Sequence, residues 1–537
     1  MNFNKKLAVA VSGAVLLMAG QVALADSATD IVDALVMKGV LTEEEGRLIT
    51  KGHTSKTAVT PVVKEKDGAF TLESANGNNS ISLTGRMHLD YRHNNLDLYA
   101  NDFNDRDTAT AADSIELRRA RLGVKGKFAK DFSYEIVGNL PGTATVDVAF
   151  VDYAKYPEVK LRLGRFKQPF NLEELTSSNN IDFMERSYVN QLAPAKKNGA
   201  MLFGEPKTGF TYALSAFSMN DTELDSKNDK MNFAGRTTLN FGELLGNKTM
   251  VAHIGLSGFD TEYNVTPITS SGTKDTSPTT TNASILAFRT PGRGLSNIFA
   301  AQIGGMRSSV AGQSVIANST SQVKSSAIGL EGAFAVNNIK VQGEYARAGV
   351  TGKTGYLSTT GLEGDTLDLN AKVFYGEILY LATGEKYADA YKGGAFGSIK
   401  PINNFDFEKN QWGAWEFGLR AERYTVDDVS LTPGNGTATE GVGATRIRGS
   451  SSCTGLTNTT SSVDGAGSVQ AASSINGCKA TSTTFTAGIK WILNPNAMVK
   501  LNYSRTNFGY EWEHFDLDDN RRMNKEDILM MRTQYAF

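Results

Sequence analysis

From about residue 80 to Phe537 the chain keeps returning to a period of two, and no other feature constrains the fold as tightly. In Ser80–Arg92 the odd positions Ile81, Leu83, Gly85, Met87, Leu89 and Tyr91 are apolar or small. The even positions Ser82, Thr84, Arg86, His88, Asp90 and Arg92 are polar or charged. Side chains on a strand alternate faces, so such a segment has one dry face and one wet face. In Glu116–Phe128, Ala120, Leu122, Val124 and Phe128 oppose Arg119, Arg121, Lys125 and Lys127. Glu116 and Arg118 have the parity of the dry face, which assigns them to a rim. Val159, Leu161 and Leu163 then alternate with Lys160 and Arg162, and Phe417 and Leu419 with Glu416 and Arg420.

A soluble sandwich also alternates, but here the pattern runs to the end of the chain. After the first residues no apolar stretch reaches the ~18 residues of a membrane helix. Apolar residues are spread singly, as a barrel with a lipid face and a water face requires. Short turns (Pro206-Lys207, Asn337-Asn338, Asn494-Pro495-Asn496) contrast with long polar connections near 93–113, 260–281, 308–323, 384–410 and 426–482. Short turns at one end and long loops at the other mark outer-membrane barrels. The expected fold is all-β: a transmembrane antiparallel β-barrel over 80–537, of about 16–18 strands, with eighteen the direct count. A barrel that wide keeps an aqueous lumen, and both chain ends are expected in the periplasm.

The N-terminus reads as an export signal. Lys5 and Lys6 precede an apolar run, Leu7–Ala19, and Ala23-Leu24-Ala25 is a small-x-small cleavage site. The expected division is a signal peptide over 1–25, a periplasmic helical segment and linker over 26–79, and the barrel over 80–537. Ile31, Leu35, Val36, Val40 and Leu41 have helical spacing, and Thr42 with Glu45 forms a capping-box pattern. Export favours a disulfide between Cys453 and Cys478, the chain's two cysteines; two free thiols are the alternative.

In the last segment Leu529, Met531, Thr533, Tyr535 and Phe537 share one face. With Tyr535 and the terminal Phe537 it resembles the sorting signal read by the outer-membrane barrel-assembly machinery. The expected location is the outer membrane of a Gram-negative bacterium, among its lipid and lipopolysaccharide.

Several stretches resemble the phosphate-selective porin O and P family. They are Glu116-Leu-Arg-Arg-Ala-Arg-Leu-Gly123, Leu163-Gly-Arg-Phe-Lys-Gln-Pro-Phe170, Leu172–Asn179 and Phe183-Met-Glu-Arg186, then Leu381–Glu385, Gly394–Gly397, Trp412–Glu416, Asn494–Asn496 and Glu526–Leu529. They occur in the family's order over about 116–537. The resemblance implies a homotrimer of barrels, most often sixteen strands each, passive uptake of anions, and a ladder of lumen arginines. If sixteen holds, a segment near 198–204 or 145–155 is not a full strand.

A diffusion pore needs a wet path and charges of one sign, and rows of Arg and Lys select anions. Arginine suits phosphate because its planar fork donates paired hydrogen bonds and its charge does not titrate away. Strand parity makes Arg86, Arg92, Arg119, Arg121, Lys125, Lys127 and Arg162 the candidate anion-binding residues of the lumen. Arg165 and Lys167 have dry-face parity and are assigned to a rim. Asp90, Glu135 and Glu422 are acids that could pair with the basic rows and weaken selectivity. The expected function is passive diffusion of small anions, phosphate included. The alternatives are a weakly selective general porin and a structural or adhesive barrel. A net charge of -2 argues against nucleic acid as a partner. The sequence implies no enzyme, cofactor or metal site: Asp516–Asn520 opens like a calcium loop, but Arg521 stands where a Gly is needed.

Overall fold

The computed structural model describes residues 32–33, 35–57, 60–66, 69–95, 113–219, 230–265, 283–294, 298–303, 320–358, 361–363, 366–432, 446–448, 469–470, 475–515 and 520–537. The expected signal peptide, Asp516–Asp519 of the calcium-like start and Cys453 lie outside these residues, as does the side chain of Cys478.

Alternating segments become the wall of a closed antiparallel barrel of sixteen strands. In chain order they are β1 (Ser80–Asn94), β2 (Ser114–Phe128), β3 (Phe132–Asn139), β4 (Thr145–Tyr156), β5 (Val159–Lys167), β6 (Lys196–Lys207), β7 (Phe210–Phe217) and β8 (Asn232–Asn240). Then follow β9 (Met250–Val265), β10 (Thr320–Val336), β11 (Ile339–Ser358), β12 (Thr366–Leu381), β13 (Ala414–Thr432), β14 (Ile475–Asn494), β15 (Ala497–Phe515) and β16 (Asn520–Ala536). Each pairs with the next, and β16 returns to β1 with Met531 opposite Tyr91 and Tyr535 opposite Met87. Closure leaves no free wall edge, which is what lets a sheet cross lipid. Met87, Leu163, Leu419, Leu501 and Met531 stand exposed on the outer face, as their parity predicts. Trp415 and Trp491 stack at 5.2 Å near the short-turn end, with Phe405 5.3 Å from Trp491, the start of an interfacial aromatic belt.

The direct count of eighteen strands is too high. Both suspect segments, now β4 and β6, are full strands. Short extended pieces outside the wall, such as Ala283–Phe288 and Phe299–Ile303, alternate as wall strands do. A two-residue period cannot tell the two apart.

The connection after β12 also differs from expectation. Residues 384–410 lie at the end where the short turns are, because β12 runs back toward that end and β13 starts from it. This segment folds inward, burying Tyr387, Tyr391 and Phe396 against Leu172, Phe183 and Leu379. At the opposite end the pieces Ala283–Phe288 and Phe299–Ile303 pack inside the barrel, with Phe288 stacked on Tyr424 at 4.4 Å. The interior face of β11–β13 is accordingly apolar there: Val350, Leu369, Val373 and Val426 are buried.

Before the wall comes helix α1 (Glu43–Thr57). Its capping box forms: the Thr42 N–H donates to Glu45 Oε2 at 2.9 Å, and the Glu45 N–H donates to Thr42 Oγ1 at 3.2 Å. A hairpin of Val62–Lys66 and Ala69–Glu73 follows and pairs onto the start of β1, where the sequence pattern predicts only a polar linker.

Candidate functional site

The connection between β5 and β6, residues 168–195, does not project into solvent. It folds through the lumen and is held by wall side chains. Its apolar residues explain this choice: Phe170, Leu172, Phe183, Met184, Tyr188 and Val189 are all buried. Their burial offsets the cost of bringing the segment's polar backbone inside only if that backbone is hydrogen-bonded. The wall supplies the partners. The Leu172 and Glu173 N–H groups donate to the two Glu344 oxygens at 3.1 and 2.7 Å. The Tyr188 N–H donates to Glu422 at 2.8 Å. Lys500 donates to the Ile181 carbonyl at 2.5 Å.

Charged side chains complete the clamp. Glu185 meets Arg532 at 2.9 Å, Arg118 at 3.2 Å and Arg92 at 3.3 Å. Asp182 meets Lys340 at 2.8 Å and Lys490 at 3.5 Å. Glu173 meets Arg420 at 3.3 Å, and Arg420 also faces Glu422 at 2.9 Å. Burial works to raise the Asp182 and Glu185 carboxyls, but the adjacent lysines and arginines outweigh it and hold both below the usual range. Glu173 goes the other way, since burial prevails over Arg420.

The loop leaves open the part of the lumen facing β1–β8. A cavity of about 790 Å³ lies there. Its basic residues are Arg86, Arg119, Arg121, Lys160, Arg162, Arg165, Lys167, Arg186, Lys196, Lys197 and Arg236; its acids are Glu135, Asp147, Glu174 and Glu205. The eleven cations outnumber the four acids, and the balance stays positive even though Arg162 and Arg236 are paired with Asp152 and Glu331 just behind the lining. Arg121 meets Asp147 at 2.8 Å, and Lys196 also contacts Asp147. Asp147 is the extra residue of a bulge between Val146 and Val148, whose neighbours across the sheet are Gly138 and Val137. Such bulges re-aim side chains.

Four predicted lumen residues line this cavity: Arg86, Arg119, Arg121 and Arg162. Arg86 donates to Ser178 of the inward loop at 2.8 Å. Arg162 makes a paired contact with Asp152 at 2.7 and 2.8 Å and lies over the Phe150 ring at 3.7 Å. Arg92 is buried among Asp90, Glu116 and Glu185 and does not line the cavity. Lys125 and Lys127 are exposed at the short-turn end of β2, away from it. Asp90 and Glu422 are the acidic partners their parity suggested, paired with Arg532 and Arg420.

Two rim assignments are corrected. Arg118 is an extra residue in β2 between Leu117 and Arg119, which face Leu89 and His88. This bulge turns Arg118 to Glu185 and Glu116 to Arg92. In β5, Gly164 adopts φ +130°, a region that side-chain-bearing residues rarely enter. Beyond it, Arg165 and Lys167 line the cavity, and Lys167 donates to the Thr176 carbonyl of the loop at 3.1 Å. Lys196, Lys197 and Arg236 were missed. The Lys196-Lys197 pair at the very start of a strand was the available signal.

A closed barrel with an apolar outside, a charged interior and a loop folded into its lumen defines an outer-membrane porin. The family model for phosphate-selective porin O and P matches residues 81–537, and the chain belongs to that family. Porin O of Pseudomonas aeruginosa is 27% identical over 413 residues, covering 72% of this chain and 81% of that protein. Among solved structures, OmpT of Vibrio cholerae is 10% identical, covering 89% of this chain and 100% of that one, with a TM-score of 0.42. An anion-selective porin from Comamonas acidovorans is 10% identical over 86% and 100%, with a TM-score of 0.41. The protein resides in the outer membrane of a Gram-negative cell.

Proposed function

We propose that this porin lets small anions, phosphate among them, diffuse into the periplasm along the β1–β8 side of its lumen. The observation that carries the reading is the excess of Lys and Arg around the open cavity. Arg86, Arg119, Arg121 and Arg162 are the predicted residues that act there, with Lys196 and Arg236 beside them. No reaction is needed: an ion exchanges part of its hydration for guanidinium and ammonium donors and leaves by the same weak contacts. Phosphate gains most, since arginine forks match its oxygens. The test is chloride current through single channels with phosphate added. Phosphate should reduce the current at concentrations well below that of chloride.

A weakly selective porin is the second reading, favoured by the pairing of Arg121 and Lys196 with Asp147 and of Arg162 with Asp152. It predicts chloride current indifferent to phosphate.

The remaining assignments are part of the same proposal. Residues 1–25 act as a cleaved signal, 26–79 as a periplasmic segment, Cys453 and Cys478 as a disulfide, and Tyr535 and Phe537 as the assembly signal. The assembly is a homotrimer. Support comes from β3, β5, β7 and β8, which are only 8 or 9 residues long. Tilted at about 40°, such strands span roughly 20 Å, less than the ~25 Å apolar band of an outer-membrane barrel. A wall sector that short is better covered by a second copy than by lipid.

A further inference from the structure

The open cavity is not lined by charge alone. Phe150, Phe166, Phe203, Tyr212, Val137 and Met201 share its wall with the cations. The aromatic part is organised around one guanidinium. Arg162 lies 3.7 Å from the Phe150 ring centre and 5.1 Å from that of Phe203, while Asp152 grips its edge. Lys160 lies 5.8 Å from the Phe203 ring. Along the same row of the wall, Phe150 is followed by Gly164 and then Gly199, which add no side chain of their own beside that ring. Phe150 and Phe203 are each only partly buried, with surface left to offer a passing solute.

A strongly hydrated inorganic ion gains nothing from these faces. Hydroxyls and amides would serve it better, and apolar rings beside its path only remove water it would otherwise keep. An anion with an apolar body gains twice. Its charged group meets the Arg and Lys donors, and its body leaves water against the rings. We infer that the cavity is a binding site for organic anions that carry an aromatic or apolar body, aromatic carboxylates above all. This rests on the reading of the pore as anion-passing and names a further substrate class for the same space.

The experiment uses the assembled porin in planar bilayers, with chloride carrying the current. Benzoate and acetate are compared as blockers, and the reversal potential in a salt gradient is recorded on the same channels. They share a carboxylate and differ in the ring. Benzoate should half-block at a concentration about tenfold lower than acetate, the effect of partly burying one phenyl group. F203A should bring that ratio close to one, and F203L, which keeps bulk in the wall, should lower it less. Conducting channels show that either variant has folded. Equal block by benzoate and acetate in a chloride-selective wild-type pore overturns the inference and leaves the anion reading standing; the rings then serve only to pack Arg162. A potassium-selective pore overturns the anion reading itself.

Discussion

The two sides of this lumen use the same residue types for opposite ends. On the side of β9–β16, Arg420, Lys490, Lys500 and Arg532 are buried and spend their charge on the inward loop. On the side of β1–β8, Arg86, Arg121 and Lys196 border open space. The difference lies in what stands opposite. Glu173, Asp182 and Glu185 are carried by the loop to the first group, whereas the second group has cations in excess. A basic lumen residue therefore says little by itself; where the loop's acids land decides whether it holds structure or meets solute.

The largest effect is expected on the filled side. Arg532 is fully buried and bonds Asp90 at 2.6 and 2.7 Å and Glu185 at 2.9 Å. Arg532→Ala takes from Asp90 and Glu185 the cation they share, leaving them only Arg92 and Arg118, and should cost about 3 kcal/mol, read by urea unfolding of the barrel in detergent. A loss below 1 kcal/mol would erase the distinction between the two sides. Glu344→Ala removes the acceptor of two loop N–H groups, at a cost of about 1–3 kcal/mol. It should also raise single-channel conductance and its noise, because the loop's first turn is no longer tethered.

Effects on the open side should be smaller in stability and appear in selectivity instead. One unit charge at about 4 Å in a wet lumen is worth roughly 1 kcal/mol, or about fivefold in a permeability ratio. Asp147→Asn should raise the chloride-to-potassium ratio by up to that factor, and Arg121→Ala should lower it by a similar one. If both variants move the ratio in the same direction, the charge account of this side fails.

The barrel was legible because wall strands face lipid on one side, and that requirement writes itself into every second residue. Local bulges were not legible. Arg118 and Asp147 each insert one residue, and parity reasoning has no way to register the slip. The pairing of lumen charges was hidden for another reason: Arg92 meets Glu185 only after 168–195 has folded inward. That fold did leave a trace, since a solvated loop has no use for Phe170, Leu172, Phe183, Met184, Tyr188 and Val189 within one segment.

The smallest expected effect is on pH. Glu185 is held well below its ordinary value of 4.5, with burial opposing and Arg118 and Arg532 prevailing. A depressed carboxyl contributes its full stability above the unfolded value and loses it only as pH falls through the lower folded value. The stability lost in Glu185→Gln relative to the native protein, read by urea unfolding, should thus be the same at pH 7 and at about pH 5. A loss that shrinks within that window would mean that Arg118 and Arg532 do not hold Glu185 in its charged form.

The most direct test of the central claim is the reversal potential of single channels across a potassium chloride gradient, in the native protein and in Arg121→Ala. The open basic side predicts a chloride-selective potential that moves toward zero when Arg121 is removed. A potassium-selective potential, or a chloride preference untouched by that change, would contradict it.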